Sequence, residues 1–192
     1  MRVTRHSAAD FHEDFQRDVL PILLQAQGLQ VLHAGAARMR AGVVALSGSS
    51  GTGKSTLACA LGLRGRTVWA DDALAIFDGR AIAIPFALRP RTPFRRMPRC
   101  ARTGQCAPLA AILLLHRADR LEARRCTGAE AFPLLLKQAY CFTLTDEQRK
   151  RRLMEDYMAI AARVPIYELR FPTGLDTLEA TLDMIERITN HE

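Results

Sequence analysis

An apolar run, Val43-Val44-Ala45-Leu46, leads through Ser47 into Gly48-Ser49-Ser50-Gly51-Thr52-Gly53-Lys54-Ser55, and that segment runs directly into Thr56-Leu57-Ala58-Cys59-Ala60-Leu61. The middle segment fits the spacing G-x-x-x-x-G-K-[ST], and a buried strand before it and a helix after it are the context that makes this spacing a phosphate-binding loop. A chance match in a chain of this length is on the order of one per cent or less at average residue usage. Glycines at 48, 51 and 53 let the main chain turn tightly and aim N–H groups at oxyanions, helped by the positive end of the following helix. A chain committed to strand, loop and helix here is committed to an α/β fold.

The residue types specify the chemistry expected at this loop. Lys54 reaches the β- and γ-phosphates of a nucleotide, and the Ser55 hydroxyl ligates Mg²⁺, a hard ion that needs only one or two protein oxygens once phosphates hold it. Thr56 is a second hydroxyl, either touching a phosphate or serving as an ordinary helix position. Lys54 stands out because only Lys54, Lys137 and Lys150 are lysines among the 27 basic residues. The expected ligands are ATP and Mg²⁺.

The next strand, Thr67-Val68-Trp69-Ala70, ends in Asp71-Asp72, seventeen positions after Lys54. Two adjacent carboxylates repel each other and are costly to desolvate, so the pair needs a use. A strand that follows the P-loop helix most simply lies parallel and close to the P-loop strand, and its C-terminal end then opens on the same sheet edge. That places Asp71 and Asp72 near the γ-phosphate. Neighbours in an extended chain point to opposite sides, so one carboxylate is expected to take a proton and the other, with Ser55, to serve the metal.

Elsewhere the periodicity predicts a helical lead-in over residues 1–28, broken or restarted at Pro21, and two strands around 29–37 and 41–47. Asp78-Gly79 between apolar runs predicts a tight hairpin. Residues 85–107, with four prolines and Arg89, Arg91, Arg95, Arg96, Arg99 and Arg102, predict a long loop, a length at which loops are usually functional or disordered. Residues 108–116 read as a buried strand with 120–126 as its partner. Capping-box patterns at 127–130 and 145–148 predict helix starts. A strand at 164–171 and a final helix with Leu178, Leu182, Ile185 and Ile188 on one face complete a single P-loop domain over 1–192 with a mixed sheet.

Composition narrows the alternatives. No run approaches the roughly 18 apolar residues of a membrane-spanning helix and no secretory core opens the chain, so a cytoplasmic protein is expected. Five widely spaced cysteines form no C-x-x-C pair, and five histidines form no H-E-x-x-H, so neither zinc nor disulfide chemistry is indicated. The net charge of +7 suits an acidic or phosphorylated partner. No aromatic-studded basic strand supports RNA binding, and nucleic acid is not the expected partner. A guanine-reading N-K-x-D is absent, and metabolite kinases that place acids at this distance generally use Asp-x-Asp followed by a helix, not a contiguous pair followed by a hairpin.

The stretch from Leu29 to Ile84, with His33 ahead of the P-loop and Ala70-Asp71-Asp72 after it, resembles the catalytic domain of HPr kinase/phosphorylase and its small relatives. Segments 84–93 and 130–142 are similar more loosely. The resemblance implies a fold akin to ATP-dependent phosphoenolpyruvate carboxykinase, and phosphoryl transfer from ATP to a protein serine. It implies Asp71 as base, Asp72 as its support, and His33 as a residue of the site. The family's N-terminal domain and later glycine-rich signature are not seen, which argues against phosphorolysis and against HPr as substrate. Some small relatives act on peptide natural-product precursors, so the expected partner is a peptide or small protein bearing the acceptor serine, with self-association left open. A metabolite kinase and a nucleotide-binding regulatory module are the alternatives.

Overall fold

The computed structural model describes residues 14–88, 96–140 and 146–190. Among the described residues eight strands form one mixed sheet: β1 (Gln30–Arg38), β2 (Val43–Ser47), β3 (Thr67–Ala70), β4 (Ala73–Phe77), β5 (Arg80–Ile82), β6 (Cys106–Arg117), β7 (Glu122–Arg125) and β8 (Ile166–Phe171). β1 organises it. Its second half pairs antiparallel with β2 on one edge and β3 on the other, and its first half pairs with β4. β3 and β4 are thus one line of chain opposite β1, interrupted only at Asp71-Asp72. β3 runs parallel to the P-loop strand β2, as expected, with β1 between them.

Helices cover both faces. On one lie α2 (Lys54–Leu63), which continues from the P-loop, and α5 (Leu178–Asn190), where Leu57, Leu61, Leu182 and Ile185 pack against Leu46, Leu113 and Leu115. On the other lie α3 (Gly128–Leu136) and α4 (Glu147–Arg163), where Leu135, Tyr157 and Ile160 meet Trp69, Ile112 and Leu114. Residues 112–115 of β6 therefore alternate between two cores, which is why the strand reads as an unbroken apolar run. The buried Tyr157 hydroxyl donates to the Val31 carbonyl at 2.7 Å and accepts from the Val31 N–H at 3.1 Å, fixing α4 to β1. Arg64 bonds to Glu179 and, at 2.7 Å, to Asp183, linking the end of α2 to α5. No helix among the described residues is long and apolar enough to cross a membrane.

Local expectations hold in most places. Pro21 sits in the first turn of α1 (Leu20–Ala26), preceded by a π-helical turn at Phe15–Val19, so the helix does restart there. Asp78 and Gly79 both take positive φ in the β4–β5 hairpin, the pattern of a type I′ turn. Thr127 and Glu130 form the capping box of α3.

Three expectations are corrected. α4 is capped by Asp146, whose carboxylate accepts from the N–H groups of Gln148 and Arg149, while Thr145 lies outside the described residues. β7 pairs with β8, not β6, because β6 already has β2, β5 and β8 as neighbours. The 85–107 segment is also more structured than a loop where it is described. Arg99 O accepts from Val68 N–H and Ala101 N–H donates to Val68 O, so residues 99–101 add a strip to the outer edge of β3. Pro98 can lie against α2 because Gly62 has no side chain: a Cβ there would stand 2.4 Å from Pro98 Cβ. Gln105 is hydrogen-bonded to Ala83, and β6 begins at Cys106.

Candidate active site

The P-loop lies between β2 and α2, as the motif requires. Lys54 is the first residue of α2 and is 5% exposed, with its ammonium donating to the carbonyls of Gly48 at 2.8 Å and Ser49 at 3.2 Å. Burial lowers its pKa, and the nearby charges of Asp72 and Asp71 oppose that shift. A buried ammonium held by two loop carbonyls keeps its charge in place for an anion that can displace them. Thr52 closes the loop onto Ser49 through its N–H and its hydroxyl. Gly53 has φ of +105°, a conformation that favours glycine, and a Cβ there would stand 2.9 Å from the Arg117 guanidinium, so the arginine end lies against the loop. Ser49, Ser50 and Gly51 are exposed at the tip, and Thr56 is half-buried one position beyond Ser55.

The two aspartates occupy a break in the β3–β4 line, opposite Ala34 and Gly35. The Ala73 N–H donates to Asp71 O at 2.9 Å across Asp72, whose φ is +64°: a γ-turn of the rarer hand. Such backbone is strained for a residue with a Cβ and is characteristic of functional positions. The turn separates the two carboxylates. Asp71 is buried and accepts a hydrogen bond from Ser55 Oγ at 2.7 Å, whereas Asp72 is exposed. The sequence reading joined Asp72 with Ser55 at the metal; the structure brings Asp71 to Ser55 instead.

The Asp72 main chain is firmly held. Its carbonyl accepts from Ala34 N–H at 3.2 Å and from the Tyr140 hydroxyl at 3.1 Å. Tyr140 arrives because residues 138–140 run antiparallel to the first half of β1, with His33 N–H donating to Gln138 O and Tyr140 N–H to Val31 O. The His33 ring stands edge-on to Tyr140, its Nδ1 at 3.3 Å from the hydroxyl. The Tyr140 hydroxyl thus bridges the Asp72 carbonyl and the His33 imidazole. Burial and the Lys54 ammonium hold the His33 pKa below its ordinary value, against the pull of the Asp72 carboxylate and carbonyl. Ser47 Oγ donates to the His33 carbonyl at 2.8 Å, tying β1 to the P-loop strand.

His33, Lys54, Ser55, Asp71 and Asp72 thus converge at one sheet edge, as the sequence suggested. Tyr140 and Arg117 were not singled out from sequence. The 130–142 segment carrying Tyr140 showed only a loose family likeness, and Arg117 reaches the loop from the end of β6. Of the loop arginines, Arg96, Arg99 and Arg102 are exposed beside β3, while Arg89, Arg91 and Arg95 lie outside the described residues. Arg170 is exposed near the end of β8. Among the described residues no cluster of three His, Cys, Asp or Glu could cage a metal. The Ser55–Asp71 pair instead offers two hard oxygens, a set that fits Mg²⁺ when phosphate oxygens supply the rest.

The site and sheet together define an α/β protein with the strand–loop–helix geometry of a P-loop. Among solved structures the chain is similar to the HPr(Ser) kinase/phosphatase from Coxiella burnetii, at 12% identity and a TM-score of 0.45, over 83% of this chain and 90% of that one. No family model and no curated protein matches the sequence.

Proposed function

We propose that the chain transfers the γ-phosphoryl group of ATP to a serine hydroxyl on a peptide or small protein. The observation that carries the reading is the 2.7 Å contact between Ser55 and Asp71, with Lys54 beside both aspartates. P-loop enzymes hold their metal with this pairing of a loop hydroxyl and a strand-end carboxylate. Ser55 and Asp71 hold Mg²⁺, which when bound neutralises charge building on the phosphoryl oxygens. Lys54 exchanges its two loop carbonyls for phosphate oxygens.

Asp72 is the base in this reading. It lies on the exposed side of the γ-turn, within the influence of Lys54 and His33, where an acceptor arriving from solvent meets it. As base, its carboxylate takes the proton of the attacking hydroxyl. This exchanges the roles that the family resemblance suggested for the two acids. Tyr140 and His33 position the turn that presents Asp72. Its exposure favours a hydroxyl carried on a peptide over an enclosed metabolite, and serine follows from the resemblance of residues 29–84.

The test is transfer of labelled γ-phosphate, offering serine peptides beside small alcohols. Label on a peptide serine is expected. Label confined to a small alcohol would replace the acceptor class, and release of free phosphate alone, with every acceptor untouched, would remove the kinase reading.

A further inference from the structure

The flank of α2 turned away from the aspartates carries a cavity of about 240 Å³ whose walls include Gly53, Thr56, Arg117, Phe171, Thr177 and Leu178. It begins at the P-loop itself, since Gly53 and Thr56 bracket Lys54 and Ser55. One wall is a stacked pair: the Arg117 guanidinium carbon lies 4.5 Å from the centre of the Phe171 ring, and Arg117 donates to the Pro172 carbonyl at 2.9 Å. Among the described residues Arg117 has no carboxylate partner, and burial lowers its pKa. The remaining walls are mainly aliphatic, with threonines at 56, 177 and 181.

We propose that this cavity is the nucleoside subsite, in which a purine base packs against the Arg117–Phe171 pair. The inference rests on the phosphate-loop reading above. A triphosphate whose γ end lies at Asp72 must leave the loop on its other side, and this cavity opens where it leaves. The composition suits a base, with flat planar and apolar surface and a few hydroxyls for a ribose. No carboxylate or carboxamide side chain is among the described lining residues, so side chains that read the guanine N1–H and N2 amine are lacking. Recognition is by stacking, and adenine and guanine are both accepted.

The experiment compares Mg²⁺ complexes of ATP, GTP and inorganic tripolyphosphate by titration calorimetry, because tripolyphosphate uses the loop and leaves the cavity empty. The wild type should bind ATP more tightly than tripolyphosphate, with GTP within about tenfold of ATP. Arg117→Ala should weaken ATP about 5- to 100-fold, the range of one lost base stack, and leave tripolyphosphate within about twofold. Arg117→Lys, which keeps the charge and loses the plane, should behave like Arg117→Ala. Leu175→Trp, filling the cavity from an exposed position, supplies a second variant with the same selective loss. The proposal is overturned if ATP binds no better than tripolyphosphate. It is also overturned if Arg117→Ala weakens both ligands equally and lysine restores them, since arginine then serves a phosphate, or if no variant changes ATP binding. A GTP preference or rejection beyond about 100-fold overturns recognition by stacking. Failure of the wild type to bind either ATP or tripolyphosphate would instead remove the loop reading on which the proposal stands.

Discussion

The two flanks of the P-loop helix are built on different principles. On the flank of Asp71 and Asp72 polar groups are bonded to one another: Ser55 to Asp71, Lys54 to two carbonyls, Tyr140 to the Asp72 carbonyl. On the flank of Arg117 the walls stand apart around an open cavity. The first flank is rigid and organised for a reaction, and the second is shaped for a ligand that supplies its own filling. Residues on the first should therefore govern turnover, and residues on the second affinity.

The strongest test of that division is the aspartate pair. Asp72→Asn should leave ATP binding nearly intact and lower transfer by about 100- to 10,000-fold, the usual range for removing a general base. Asp71→Asn should raise the Mg²⁺ concentration needed for half-maximal rate. If instead Asp72→Asn shifts the Mg²⁺ requirement and Asp71→Asn does not, the two roles are reversed. Steady-state rates against Mg²⁺ concentration separate the cases.

A test of packing on the rigid flank follows from Gly62. Glycine to alanine inside a helix ordinarily stabilises by up to about 1 kcal/mol. Here the new methyl meets Pro98 and Val68, so Gly62→Ala should destabilise by about 1–3 kcal/mol in denaturant unfolding. A gain in stability would show that residues 98–101 are not held against the helix. Tyr140→Phe removes one hydrogen bond to the Asp72 carbonyl and should lower turnover about 2- to 10-fold without changing the affinity for tripolyphosphate.

The smallest effect concerns pH. His33 has its pKa lowered below 6.5 by burial and by Lys54, so the unfolded chain binds its proton more readily than the folded one. This part of the stability is present above 6.5 and is lost as pH falls from there through the lower folded value. Melting temperature should fall across that window more steeply in the wild type than in His33→Gln. Burial likewise pushes the Cys59 thiol up to about 11, with Cys100 and Asp71 adding to the shift, and partial desolvation and Asp71 also raise the Cys100 thiol, so at pH 8 alkylation should reach the exposed Cys106 first and spare the buried Cys59.

The contrast between flanks also explains what could be read from sequence. The P-loop, its lysine and the two aspartates are close along the chain and carry unusual residue types, so spacing alone brought them together. The hairpin at Asp78-Gly79 and the cap at Thr127 were legible because turn chemistry is local. Arg117 and Phe171 end two strands that pair only through the sheet, and neither residue type is rare in such a place. Tyr140 is brought to Asp72 by an isolated bridge to β1, a contact that leaves no periodic trace. That Ser55 meets Asp71 and not Asp72 was not legible for a local reason: alternation along a strand says that two neighbours diverge, but not which of them turns inward.

The hydrogen bonds around Asp72 run through its main chain, from Ala34, from Tyr140 and across the γ-turn from Ala73 to Asp71. The position therefore keeps its shape when asparagine or glycine replaces the aspartate, since these are the residues its positive φ suits best. Shape and reactivity are held by different atoms at this one site. A chain altered only there can be an inert decoy, folded and open to its acceptor yet unable to release it as product, and such a decoy is a means of capturing the acceptor itself.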